Sequence, residues 1–159
     1  MFDPSDVHAE ADATTMTLSR LFDAPRELVF EVWTKPEHVA KWWGPFGFSI
    51  TTYAMEVAPG GTWRYDMHHA EYGDFKNEIV YQEVVRPERL VYHHGGVDDG
   101  NDPFHVTVTF ETEGNQTRVT MRTRFTSEAA FNEAKTFGAI EGGKQTFTRL
   151  AEHLAGVAV

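Results

Sequence analysis

The stretch Thr62–His94, TWRYDMHHAEYGDFKNEIVYQEVVRPERLVYHH, decides the fold. Trp63, Tyr65 and Met67 recur at period two, as apolar residues do when alternate side chains of a strand face opposite sides. Folding the chain back at the next turn sets Arg64 opposite Glu78, Asp66 opposite Lys76 and Met67 opposite Phe75. One register thus satisfies charge and hydrophobicity together, although each exposed pair contributes only about 0.2–1 kcal/mol. A further reversal at Arg86–Arg89 brings Val85 near Leu90 and Glu83 near Tyr92. If Trp63, Tyr65 and Met67 point inward, Phe75, Asn77, Ile79, Tyr81 and Glu83 follow across one turn, and Tyr92 and His94 across the next.

The flanking segments extend the pattern. Thr14–Phe22 alternates with Met16, Leu18, Arg20 and Phe22 on one parity, a strand whose apolar face is imperfect. Pro25 opens a helix with Leu28, Val29, Val32 and Trp33 at helical spacing; Pro36 opens a second, Glu37–Trp43, which Gly44-Pro45 ends. Phe48–Val57 reads as a strand before the turn at Pro59-Gly60-Gly61. On the C-terminal side, a turn at Glu113–Gln116 pairs Phe110 with Val119, Val108 with Met121 and Phe104 with Phe125. Ser127 caps a helical segment, and Ile140, Phe147, Leu150, Ala151 and Leu154 form one stripe of a final helix. The order is strand, two short helices, six strands and a long C-terminal helix. It predicts an α+β fold in which a curved antiparallel sheet grips that helix, because each needs the other for burial.

The 159 residues fit one domain, expected over 14–155, with a frayed tail at 1–13 and a short tail at 156–159. The net charge of −10 argues against phosphate-tracking nucleic-acid binding and against anionic membrane surfaces. The absence of cysteine excludes disulfides, thiolate metal sites and a Cys nucleophile. No apolar run of membrane-spanning length and no secretory leader pattern occur, so a cytoplasmic location is expected. The 12 Phe, 4 Trp and 5 Tyr need an interior or a pocket.

Four segments in order, FDAPRELVFEVWTKPEHVAKWWGP (22–45), PGGTWRYDM (59–67), EVVRPERLVY (83–92) and QTFTRLAEHLA (145–155), resemble the family of activator of heat-shock-protein-90 ATPase homologues, within the START-like (SRPBCC) superfamily. The resemblance implies a helix-grip fold: seven antiparallel strands around the C-terminal helix, two short helices between strands 1 and 2, and a cavity that in relatives holds apolar molecules. Some relatives are cyclases or hydrolases, and the namesake cochaperones bind a chaperone's middle segment. Many relatives carry Trp after Gly in the last helix, where this chain has Gly143; the missing ring is expected to enlarge the cavity or to be replaced by a neighbouring aromatic.

Aromatic walls with a few polar groups are the composition of a small-molecule pocket, and equally of a packed core whose polar groups find backbone partners. The candidates for contact with a small apolar or amphipathic ligand are Trp43, Trp63, Tyr65, Met67, Phe75 and Asn77, then Tyr81, Tyr92, His94, Phe104 and Phe147. A carboxylate beside an imidazole in such a cavity would carry protons, which makes Glu83 and His94 candidates for catalysis, with a bulge near Pro87 as the feature that would turn Glu83 outward. In Trp42-Trp43 the rings are expected to diverge, one under the sheet and one at the cavity entrance with Pro45 and Phe46. His68-His69 and His93-His94 alternate across a strand and lack a chelating spacing, so no metal is expected. No phosphate loop, GxSxG, kinase set or Rossmann fingerprint occurs, and no cofactor is expected. A chaperone-interacting or stress-linked surface module and a homodimer joined through an edge strand or the helices remain open readings.

Overall fold

Two strands, β1 (His8–Ala11) and β2 (Thr15–Phe22), precede helices α1 (Arg26–Thr34) and α2 (Pro36–Trp42). Six strands follow: β3 (Ser49–Met55), β4 (Thr62–His69), β5 (Gly73–Val85), β6 (Arg89–Gly96), β7 (Phe104–Glu113) and β8 (Gln116–Arg124). Helices α3 (Glu128–Thr136) and α4 (Ala139–Val157) complete the computed structural model, which describes residues 2–97, 100 and 102–157. All eight strands join one antiparallel sheet in the order β1-β2-β8-β7-β6-β5-β4-β3.

The expected registers hold where charge and apolar pairing agree. Arg64, Asp66 and Met67 stand opposite Glu78, Lys76 and Phe75, and Arg64 Nε donates to Glu78 Oε2 at 2.8 Å. Phe110 faces Val119 and Val108 faces Met121, while the Phe104 and Phe125 rings lie 5.3 Å apart. Helix starts follow local chemistry: Pro36 occupies a first-turn position of α2, where its missing N–H costs nothing, and Ser127 Oγ accepts the Ala130 N–H at 3.0 Å. The buried stripe of α4, Phe147, Leu150, Ala151 and Leu154, covers the sheet, with the Phe147 ring 5.8 Å from Phe22. Phe30 and Trp33 of α1 meet Phe110 edge-on at 5.2 and 5.5 Å. Among the described residues no helix is long and apolar enough to cross a membrane.

Three expectations are corrected. The sheet has eight strands and not seven, because the segment expected to fray contains β1, with His8 opposite Ser19 and Ala11 opposite Met16. Asp3 accepts the Ser5 N–H at 2.8 Å to start a 3-10 turn over Pro4–Asp6, and Val7 beyond it is buried in the core. Second, α4 runs on through Val157, past the expected boundary at 155; residues 158–159, like Met1 of the expected leading tail, lie outside the described residues. Third, the β5–β6 hairpin is one residue out of the expected alignment. Tyr81 faces Tyr92, Glu83 faces Val91 and Val85 faces Arg89, with the exposed Gln82 as the extra residue of a bulge.

Because Val7 is core, Val7→Ala is expected to destabilise the protein by about 2 kcal/mol, read as a lower urea midpoint at constant m. A frayed segment would leave the midpoint unchanged.

Candidate functional site

Between the inner face of the sheet, the end of α2 and the junction of α3 with α4 lies a cavity of about 370 Å³ that opens to solvent. Of the expected contact residues, Trp43, Tyr65, Met67, Asn77, His94 and Phe104 line it, with Phe147 from α4. Trp63, Tyr81 and Tyr92 do not. They are packed into the solid core beneath, with Trp63 at 4.8 Å from the Trp43 ring and Tyr81 at 5.9 Å from Tyr92. Phe75 shares the inward parity but sits near the start of β5, beyond the cavity, and is 46% exposed.

The bulge at Gln82 removes Glu83 from this side. Its carboxylate accepts from Arg89 Nε at 2.7 Å, and the side chain is nearly half exposed. The expected pairing of Glu83 with His94 therefore does not form, and no Asp, Glu, Lys or Arg is among the described residues that line the cavity.

Trp42 and Trp43 also depart from expectation, since both are buried and both line the cavity, their rings 5.3 Å apart. Trp43 is no longer helical: φ −69° and ψ 126° place it in extended backbone, which cancels the rotation that separates neighbours on a helix. Pro45 lines the cavity as expected, but Phe46 does not.

Sequence reasoning missed Met16, Met121 and the α3–α4 junction around Phe137 and Gly138. The methionines had a signal, because Met16 shares the parity of Leu18 and Met121 pairs with Val108. The junction had none, since neither helical nor strand period runs through it. Gly142 and Gly143 both border the cavity, yet Gly143 does more than leave space. A Cβ there would come within 2.4 Å of Leu18 Cδ1, so the helix backbone rests directly on β2.

A chain of hydrogen bonds runs along the cavity wall. The Trp43 indole N–H donates to Tyr65 Oη at 3.0 Å, and Tyr65 Oη lies 2.8 Å from His94 Nε2. Burial pushes the Tyr65 hydroxyl well above its ordinary pKa and lowers His94 to about 4, so the phenol keeps its proton and the imidazole is neutral at pH 7. The Tyr65 O–H has no acceptor other than His94 Nε2 among the described residues, so it donates to that nitrogen while its oxygen accepts from Trp43. That assigns the imidazole proton to Nδ1, which makes no hydrogen bond to a described residue.

The loop that carries Trp43 is held from α4. Arg149 Nη1 donates to the carbonyls of Gly44, Phe48, Pro45 and Trp43 at 2.8, 3.1, 3.2 and 3.3 Å. With two hydrogens for four acceptors these are shared bonds, individually weak and jointly a clamp. Gln145 Oε1 adds a bond from the Phe46 N–H at 3.0 Å.

Two measurements check this geometry. The unfolded chain protonates His94 near 6.5 and the folded one only near 4, so the contribution of neutral His94 is complete above 6.5 and lost as pH falls from there toward 4. Wild type is expected to lose up to about 3 kcal/mol more than His94→Gln over that interval in urea unfolding. His105 and His153, also lowered by burial, contribute to the slope of both proteins alike. Arg149→Met is expected to destabilise by about 1–3 kcal/mol and to speed amide exchange at Phe46 and Phe48.

The profile of the family described as activator of Hsp90 ATPase homolog 1-like protein matches residues 23–155. No curated protein matches the chain in sequence. Solved structures do match in fold. A protein from Arthrobacter aurescens has a TM-score of 0.88 at 24% identity, with 96% of this chain and 94% of that one covered. Protein Ms6760 from Mycobacterium smegmatis has a TM-score of 0.84 at 22% identity, over 94% and 95% of the two chains. One from Staphylococcus epidermidis has a TM-score of 0.82 at 26% identity, over 93% of each. The sheet closed over α4, the two short helices after β2 and the profile match together make this chain a member of the activator of Hsp90 ATPase homolog 1-like family.

Proposed function

We propose that the protein binds an uncharged, largely apolar small molecule in the cavity between sheet and α4. The observation that carries this reading is the lining itself: aromatic rings and methionines, no ionised side chain among the described residues, and a neutral imidazole at one wall. Apolar burial at about 25 cal/mol per Å² supplies affinity, and the methionines Met16, Met67 and Met121 adapt to the ligand's outline. The Nδ1–H of His94 orients a carbonyl, ether or similar acceptor on the ligand. An ionised ligand is disfavoured, since no opposite charge stands ready to replace its lost hydration. The outward Glu83 leaves the cyclase or hydrolase reading without its carboxylate, which is why binding is preferred.

The test is titration with the neutral fluorophore 1-aminoanthracene against the anionic anthracene-9-carboxylate. The neutral probe is expected to quench tryptophan emission saturably and to bind at least about tenfold more tightly. Ala134→Trp, which places a ring at the half-buried lining position of α3, is expected to weaken binding by about tenfold while the melting temperature stays within a few degrees. Equal affinity for the two probes, or no saturable quenching below about 100 μM, would sink the proposal.

A further inference from the structure

Arg20 is the imperfection in the inner face of β2, and it is 9% exposed. Its Nε and Nη1 are sealed from solvent and have no hydrogen-bond partner among the described residues. The acid beside it, Asp6, lies 3.8 Å from Nη2, beyond hydrogen-bond distance, on a side chain about half exposed. The rings of Phe2 and Phe22 lie over the guanidinium, with centroids 5.6 and 5.5 Å from its carbon. Ring faces stabilise the charge, but they do not replace oxygen acceptors for five N–H groups. A buried cation in this condition is the expensive kind, because its desolvation is not repaid by a paired acceptor.

The same side chain lines a cavity of about 470 Å³ beneath the C-terminal half of α4, which shares no described lining residue with the one at His94. Phe22, Ala151 and Leu154 give it an apolar wall, and the small Ala155 leaves room beside them. Gln116 also borders it, with a side-chain amide that makes no hydrogen bond to a described residue.

We propose that Arg20 anchors a second binding site, for a small organic molecule with one carboxylate and an apolar tail. A carboxylate matches the guanidinium fork with two oxygens, Gln116 offers a further donor, and the tail lies on Phe22, Ala151 and Leu154. Single charge is part of the recognition. Asp23 lines the cavity and Asp6 flanks the cation, so a dianion would meet two carboxylates against one guanidinium. Phe2, one of the two rings over the guanidinium and a lining residue of the cavity, belongs to no helix or strand, and in this proposal the carboxylate reaches Arg20 past it.

The experiment is a titration of the full chain with octanoate, octanol and inorganic phosphate, followed by 15N NMR at the Arg20 Nε–H and the Gln116 side-chain amide. The Trp43 indole N–H reports separately on the larger cavity. Octanoate is expected to shift the Arg20 and Gln116 signals saturably with a dissociation constant below about 1 mM, and Arg20→Met to weaken that response at Gln116 by at least about tenfold. Octanol and phosphate are expected to leave both signals in place. Three results would overturn the proposal: no saturable shift at about 10 mM octanoate, as for a water-filled void; an equal response to phosphate; or octanoate shifts confined to Trp43. The last would leave a ligand in the larger cavity and none at Arg20, while silence at Trp43 with a response at Arg20 would separate this site from the one proposed above.

Discussion

The contact on which the rest of the structure depends is the backbone of α4 resting on Leu18 at Gly143. Helix and sheet approach so closely there that a Cβ would displace the Leu18 side chain, and the interior is divided on either side of that point. Met16, two residues before Leu18 on the same face, borders the larger cavity; Arg20, two residues after it, borders the smaller one. Further along, the Phe147 ring packs against both Phe22 and Trp33, which fixes the helix in azimuth as well as in height. A close helix–sheet contact leaves the interior on either side only partly filled, because side chains of ordinary length do not fill the widening gap.

Trp43 is the second pivot. Its ring meets those of Trp33, Trp42, Trp63, Tyr65 and His94 at 4.8 to 6.3 Å, mostly edge to face, the arrangement favoured by the aromatic quadrupole. Its N–H donates to the same Tyr65 oxygen that is bonded to His94, and its carbonyl is one of those gathered by Arg149. A single residue thus links the wall of the cavity to the loop at its entrance. Burial keeps the Tyr65 and His94 members of this wall neutral.

What could be read beforehand was whatever local patterns demand. Alternating residues with matching charges across a turn admit one register, so the pairs Arg64–Glu78 and Phe110–Val119 were legible, as were the proline-opened helices and the stripe on α4. Glu83 was misplaced because one bulged residue reverses the parity of everything after it, and nothing in QEVVRPERL marks Gln82 as the extra residue. β1 was missed because four residues, HAEA, carry little alternation and are held by pairing to the edge of β2 rather than by their own burial. Trp63, Tyr81 and Tyr92 stood on the correct face, but facing inward does not distinguish core from cavity wall. That difference depends on how far the covering helices stand from each point of the sheet.

The sequence by itself determined the elements other than β1, their order, most registers and the aromatic character of the interior, since these follow from periodicity, turn chemistry and complementary pairs a short distance apart along the chain; the family was legible only through the resemblance of four segments. Tertiary structure alone decided where that interior is full and where it is hollow. The decision rests on contacts between residues far apart in the chain: Gly143 on Leu18, Arg149 under the Trp43 loop, Trp43 through Tyr65 to His94, and Phe2 over Arg20. None of these has a local signature, because each is set by the distance between two layers, a quantity no stretch of sequence contains.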